Sequence, residues 1–146
     1  MRYDEILIDV PLDIGNHRFS EQEILAFARD FDPQPFHIDH SAARDSHFGG
    51  IIASGWHVCA VWMRLTVDHW QAQGSVAGIS PGMEHIRWLK PVRPGDHLTF
   101  QTHVSHKRRL KSRPGWAVIT CHSEAVNQNG EIAFEMKGNV LFPIDD

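Results

Sequence analysis

The amino-acid sequence predicts a single α+β domain in which an antiparallel sheet curls around one long apolar helix. Two observations predict this fold class. Apolar residues recur at helical spacing through the first half of the chain, and after Pro81-Gly82 they alternate with polar residues as in strands. No repeat, linker or low-complexity tract separates the two patterns, which is typical of an α+β domain. A chain of 146 residues suits one domain spanning residues 1–146.

Composition and charge narrow the class of function. The net charge is -4, so there is no basic footprint for nucleic acid. Residues 1–13 lack the basic and apolar regions of a signal peptide, and the longest apolar stretch is interrupted by His57, Arg64 and Asp68. We therefore expect a cytoplasmic protein with neither a nucleic-acid nor a membrane partner. In such a compartment Cys59 and Cys121 are expected to be reduced and to serve packing.

The first elements are predicted from caps and turn residues. Residues 6–10 are expected to form a short strand or an ordered arm, which ends at Pro11 and a turn over residues 13–15. Ser20 and Glu23 then have the spacing of a capping box, which predicts that a helix begins after Ser20.

Proline residues predict where this first helix ends. Pro33 lacks a backbone donor and disfavours helical geometry at Asp32, so the helix is expected to end near Phe31. With Pro35 adding a second constraint, the segment 32–37 is predicted to be a stiff, extended loop. Residues 41–44 are compatible with one or two helical turns.

The long central helix is predicted over Gly55 to Gln73, where apolar residues stand at helical spacing. Its first half is apolar on nearly all sides, which predicts a helix wrapped by other elements. Ser54 has the side chain of an N-cap for this helix, and we prefer that role to a nucleophilic one because no base lies nearby in the sequence.

Four strands are predicted in the second half, over residues 85–89, 98–104, 116–126 and 132–142. Turn residues connect them at 93–96 and at 127–130, the second being a strong hairpin signal. A short basic run over residues 107–113 is interpreted as a solvated hairpin end, with an anion site as the less favoured alternative.

Asp32 and His37 are the candidate reactive residues that spacing alone brings forward. An acid and a histidine five positions apart on a stiffened loop could share proton chemistry, although Asp32 could equally be a turn residue and His37 a satisfied core histidine. His37, Asp39 and His40 do not make a recognisable metal motif, so no metal is expected. Asp39 is interpreted either as a residue that orients His37 or its loop, or as an ordinary solvated residue.

Two segments of the chain resemble those of a known protein family. The segments Asp32-Pro33-Gln34-Pro35-Phe36-His37 and Phe48-Gly49-Gly50-Ile51-Ile52-Ala53-Ser54-Gly55-Trp56 are similar to those of the MaoC-like dehydratases, relatives of the (R)-specific enoyl-CoA hydratases. The likeness runs from about residue 15 to the C-terminus. Hydratases commonly have Gly, Asn and His at the positions that are here Phe31, Gln34 and Ser54.

The resemblance implies a hot-dog fold and a reversible hydration of a 2-enoyl-CoA or similar thioester to a 3-hydroxyacyl thioester. Such a lyase would belong to fatty acid metabolism and would need no cofactor beyond the CoA or acyl-carrier thioester that is its substrate. It implies that Asp32 and His37 activate a water and that the backbone N–H of Gly55 is the oxyanion donor. Family members usually pair, so a homodimer or a dimer of dimers is expected.

The residues expected to line the substrate site are Phe36, Phe48, Ser54 and Trp56, with Trp62 and Trp88 also shaping the tunnel. From their helical spacing alone, Trp56, Trp62 and Trp70 are interpreted as core or dimer contacts rather than as a ligand-binding set. So many bulky aromatic side chains favour a short or compact acyl group. Two alternative functions remain open. The first is an acyl-CoA thioesterase, which often has an acid on the central helix, where this chain offers only Asp68. The second is a non-catalytic acyl-binding module.

Overall fold

The structure, a computed structural model, describes residues 2–74 and 78–145. Its helices, besides a short 3₁₀ turn at Tyr3–Glu5, are α1 (Glu21–Phe31), α2 (Pro35–Ile38), α3 (His40–Asp45) and α4 (Gly55–Ala72). Its strands are β1 (Leu12–Arg18), β2 (Met83–Trp88), β3 (His97–Arg109), β4 (Trp116–Val126) and β5 (Ile132–Pro143). The strands form one sheet in the order β1-β3-β4-β5-β2, and each neighbouring pair is antiparallel.

The hydrophobic core lies between this sheet and the helices α1 and α4, which confirms the α+β prediction. Its buried side chains come from both layers: Phe19, Ile24, Ala28, Val58, Trp62, Leu98, Phe100, Ala125, Phe134 and Met136. The prediction that other elements cover α4 is confirmed on the side of the helix that faces the sheet. Trp56 and Met63 on α4 are 58% and 45% exposed, because the sheet covers only the opposite side of the helix.

The N-terminal region differs from the prediction. The turn expected over residues 13–15 is instead part of strand β1, which pairs with β3. Gly15 has a φ of 124° and stands at a register shift in that pairing, so the Asp-Ile-Gly sequence makes a β-bulge rather than a chain reversal. Residues before β1 form an arm, which Lys107 fastens by donating from Nζ to the carbonyls of Tyr3 and Ile6 at 3.0 and 2.9 Å.

The first helix is confirmed at both ends. The Ser20 hydroxyl accepts from the Glu23 N–H at 3.1 Å, and the helix ends at Phe31 as the following prolines predict. The extended loop predicted over residues 32–37 was wrong in its second half. Pro35 is the first residue of the one-turn helix α2, where its fixed φ favours a helix start and its missing N–H costs nothing.

The strand predictions hold with one extension. Strand β4 has the predicted bounds, and residues 127–130 connect it to β5 as the hairpin signal indicated. Strand β3 continues through the basic run to Arg109, beyond the predicted end. The cations of that run are not simply solvated, because Lys107 and Arg109 lie over the Tyr3 ring and Arg113 lies 3.7 Å from the Trp116 ring centroid.

Candidate active site

Asp32 and His37 are brought together where α1 ends and α2 begins. The Nε2 atom of His37 lies 3.2 Å from Oδ2 of Asp32. His37 is buried and the Asp32 side chain is 17% exposed, so the pair is largely screened from water. The Nδ1 atom of His37 lies 2.7 Å from the carbonyl oxygen of Ile52. The two residues that spacing singled out therefore form a contacting acid–base pair.

The Ile52 carbonyl determines the protonation of the histidine. A carbonyl oxygen only accepts, so Nδ1 of His37 must carry a proton and donate it. The remaining nitrogen, Nε2, then faces the Asp32 carboxylate, so the two groups lie close enough to exchange protons with a water bound beside them. This pair can give up one proton and accept another, which is the capacity that general acid–base catalysis needs.

Two further donors fix the Asp32 carboxylate. Gln34 Nε2 donates to Oδ1 at 2.8 Å, and Ser54 Oγ donates to Oδ2 at 2.7 Å. Burial raises the pKa of Asp32, but the hydrogen bonds from Gln34 and Ser54 and the contact with His37 outweigh it, so the pKa lies below its ordinary value. Asp32 is therefore held ionised and in one orientation.

Gly55 begins helix α4 beside this pair. Within residues 2–74 and 78–145, no carbonyl or side chain accepts a hydrogen bond from the Gly55 N–H. A free amide at the N-terminus of an 18-residue helix is suited to a developing negative charge, since the positive end of the helix dipole adds to it. The indole of Trp88 packs against Gly55 and donates from Nε1 to its carbonyl oxygen at 2.9 Å.

A cavity of about 470 Å³ opens beside these groups. Phe36, Phe48 and Trp56, which the sequence predicted as substrate contacts, all lie in its wall together with Asp32, His37 and Gly55. The remaining wall comes from Gln34, Ile52, Ala53, Val58 and residues 88–92. Of residues 88–92, only Trp88 was predicted from the sequence to line the cavity. The site residues Leu89 to Val92 were missed, although their position directly after the strand that follows the central helix was visible.

Three residues that the sequence brought forward lie outside the cavity wall, and each has the structural role that was one of its predicted interpretations. Ser54 does not line the cavity: it is fully buried, caps α4 by accepting from the Trp56 N–H at 3.3 Å, and contacts Asp32 instead of substrate space. Asp39 is exposed and caps α3, accepting from the Ala42 N–H at 2.7 Å, so it holds the loop after His37 and does not touch the ring. Trp62 belongs to the core and not to the cavity wall.

His57 and the two cysteines serve packing. The His57 ring stacks on Phe27 at 4.7 Å and meets Phe19 edge-on. Its Nε2 lies 3.4 Å from Oε1 of Glu23, and burial holds its pKa below the ordinary value despite that carboxylate. Burial also raises the pKa of Cys59 to about 11 and of Cys121 to about 12, which is the environment of unreactive thiols.

The described residues contain neither a cluster of metal ligands nor a membrane-spanning helix. Among residues 2–74 and 78–145, no three side chains of His, Cys, Asp or Glu converge as a metal ion would require. Across the same part of the chain, no helix is long and apolar enough to cross a membrane.

Comparison with known proteins agrees with this geometry. The family model described as "MaoC like domain" matches residues 7–125. The chain belongs to the MaoC-like domain family. The family resemblance of the DPQPFH and FGGIIASGW segments is thereby confirmed.

The relatives of this MaoC-like domain extend over its whole length. A MaoC-like dehydratase from Rhodospirillum rubrum is 39% identical, with a TM-score of 0.90 over 100% of this chain and 99% of the other. An uncharacterized protein, YdeM, from Bacillus subtilis is 31% identical over 97% of this chain and 98% of its own length. An (R)-hydratase from A. caviae shares 23% identity and a TM-score of 0.76, over 95% of this chain and 98% of the other. The hot-dog fold is thus confirmed.

Proposed function

We propose that this MaoC-like domain hydrates a 2-enoyl thioester to a 3-hydroxyacyl thioester, and catalyses the reverse dehydration. The observation that supports this most is the placement of the Asp32–His37 pair and the free Gly55 N–H in the wall of one cavity. Hydration of an activated double bond needs these two functions together: a group that exchanges protons with water, and a donor for the charge on the thioester oxygen. Membership of a family that includes MaoC-like dehydratases supports the same class of reaction.

In the proposed reaction, the Gly55 N–H donates to the thioester oxygen and stabilises the enolate that forms there. A water held by Asp32 and His37 attacks C3, so that a new C–O bond forms while the C2–C3 double bond becomes single. The water gives one proton to the pair, and the pair delivers one proton to C2. Atoms and charge balance in this scheme, which uses no cofactor.

The cavity supports an acyl thioester as substrate. Most of its wall is apolar, with Phe36, Phe48, Trp56 and Trp88 as the largest surfaces. Trp56 and Trp88 meet edge-to-face, with ring centroids 5.3 Å apart, and so form a rigid part of that wall. We therefore propose a short or compact acyl group, carried by CoA or by an acyl-carrier protein.

The test is the absorbance of the enoyl-thioester band with crotonyl-CoA, followed by a panel of longer and branched enoyl-CoAs. Wild-type protein should consume the band, whereas Asp32→Asn and His37→Ala should lower the rate at least ~100-fold, since each removes half of the proton-transfer pair. Thermal unfolding of both variants checks that the fold is intact. No activity of the wild type on any member of the panel would refute the proposal, and so would full activity of both variants.

Thioester hydrolysis receives no support from the site. Asp68 on α4, the acid that such an enzyme could use, is exposed and paired with Arg64 at 2.8 Å, and it does not line the cavity. A thiol reagent added to the same reactions distinguishes the two activities, because hydrolysis releases free CoA and hydration does not.

We further propose that the chain acts as a dimer. Among residues 2–74 and 78–145, strand β2 lies at the edge of the sheet and has β5 as its one partner strand, and it ends at the half-exposed Trp88 beside the cavity. An open strand edge next to exposed apolar side chains is suited to pairing with a second copy. Sedimentation velocity at micromolar concentration should show a species of twice the chain mass, or four times for a dimer of dimers, and a monomer alone would contradict this.

A further inference from the structure

Ser54 connects two parts of the site that are otherwise separate. Its Oγ accepts from the Trp56 N–H at 3.3 Å, so its single hydroxyl proton is free to point elsewhere. That proton is donated to Oδ2 of Asp32 at 2.7 Å, across 22 positions of sequence. Ser54 is fully buried, so in the folded protein water does not compete for its hydroxyl.

This hydrogen bond joins two parts of the proposed catalytic site. Asp32 is half of the acid–base pair, and Gly55, the residue directly after Ser54, supplies the free N–H. The Ser54 hydroxyl thus attaches the carboxylate to the same helix terminus that presents the oxyanion donor. Gln34 fixes the other carboxylate oxygen, Oδ1, but it lies on the same loop as Asp32 and cannot tie that loop to α4.

We propose that Ser54 is a positioning residue: its hydroxyl fixes the Asp32 carboxylate to the N-terminus of α4 and so holds the proton-transfer group and the oxyanion donor at a constant separation. This role rests on the proposed hydration. A reaction that uses two groups on one substrate is sensitive to their relative placement, and a displacement of about 1 Å can cost ~100-fold in rate.

A helix cap alone would account for the presence of a serine, so the test must separate capping from positioning. Glycine is nearly as good as serine at an N-cap but has no hydroxyl. Ser54→Gly therefore keeps most of the cap and removes the bond to Asp32. Ser20→Gly is the matched control, because Ser20 caps α1 through the Glu23 N–H at 3.1 Å and lies outside the cavity wall.

The first readout is steady-state kinetics with the best enoyl-CoA across a range of pH. Ser54→Gly should lower kcat by roughly 10- to 100-fold with KM changed less than about 2-fold, and Ser20→Gly should match the wild type. The low-pH limb of kcat/KM should move to higher pH, because a carboxylate that loses a donor becomes a stronger base. The titratable group that contacts Asp32 is His37 on α2, and the other charged group in the same cavity wall, Lys90, is paired with Glu131 at 3.0 Å. Both are unchanged in these variants.

The second readout does not depend on turnover. Carbon-13 NMR of the Asp32 carboxyl should show a higher pKa in Ser54→Gly than in the wild type, and Ser54→Thr, which restores a hydroxyl, should bring it back. An unchanged Asp32 pKa overturns the proposal, as does a wild-type kcat in Ser54→Gly. If the wild type hydrates nothing in the panel, the proposed function has failed, and the NMR titration alone decides whether Ser54 holds the carboxylate.

Discussion

Replacing Gly55 by alanine should damage the site through a collision with Trp88. A Cβ atom at residue 55 would lie 2.6 Å from Nε1 and 2.8 Å from Cδ2 of the indole, distances that real Cβ contacts do not show. The atoms it meets belong to a rigid ring that donates to the Gly55 carbonyl, so the ring cannot turn aside without breaking that bond. Gly55 has an ordinary helical backbone, which means that space, and not conformational freedom, requires glycine here.

The expected cost follows from overpacking. Forcing additional atoms into a packed contact costs about 1–3 kcal/mol. For a domain of this size that corresponds to a fall in Tm of roughly 3–9 °C. The intrinsic preference of helices for alanine over glycine, at most about 1 kcal/mol, would offset only part of this. Thermal unfolding followed by circular dichroism measures the difference.

A control and a double variant make this prediction specific. Gly50→Ala should leave Tm unchanged or slightly higher, because the nearest atom to its new Cβ, Nη1 of Arg93, is 3.7 Å away. In a Trp88→Ala background, Gly55→Ala should cost nothing, which gives a coupling free energy of about 1–3 kcal/mol. Equal losses in both backgrounds, or no loss in either, would refute the packing of Trp88 on the start of α4.

Two further predictions concern buried side chains outside the reacting pair. Burial raises the pKa of Cys59 to about 11 and of Cys121 to about 12. Both thiols should therefore react with iodoacetamide at neutral pH at least ~100-fold more slowly than in the denatured chain. Rapid labelling of the folded protein would contradict their burial. Because the pKa of His57 is lowered from 6.5 by burial, the unfolded state binds a proton more readily, and the free energy of unfolding should fall as pH drops below that value. His57→Phe keeps an aromatic ring stacked on Phe27 and removes the titratable group. This variant should show a smaller difference in Tm between about pH 7.5 and about pH 5.5 than the wild type. An unchanged difference would mean that other groups cause the pH dependence.

The parts of the fold that local chemistry determines were predictable from the sequence. The Ser20 cap, the end of α1 before Pro33 and the hairpin after β4 each depend on a few neighbouring residues. Strand β1 was missed because Gly15 looks like a turn residue until its pairing with β3 makes it a bulge. Such pairing connects distant segments and leaves no local signal.

In the candidate site, too, local features were predictable and contacts between distant segments were not. The spacing of Asp32 and His37, with the family resemblance, predicted the acid–base pair that the structure brings into contact. The partners of that pair could not be predicted, because the Ile52 carbonyl and the Ser54 hydroxyl approach from positions 15 and 22 residues away. The predicted N-cap role of Ser54 is confirmed, whereas its hydrogen bond to Asp32 was not predicted and its expected place in the substrate site was wrong. The interpretation of Pro35 failed for a smaller reason, since proline both stiffens a loop and starts a helix.

The cavity wall is assembled from two stretches of chain that make different contributions. The proposed reacting groups lie between residues 32 and 55, whereas the wall segment 88–92 is mostly apolar, and its one charged side chain, Lys90, is paired with Glu131 at 3.0 Å. The segment 88–92 therefore shapes one side of the cavity from outside the stretch that carries the proposed proton chemistry. Because Trp88 also packs on Gly55 and donates to its carbonyl oxygen, an exchange limited to residues 89–92 should reshape this side of the cavity and leave both the start of α4 and the Asp32–His37 pair in place.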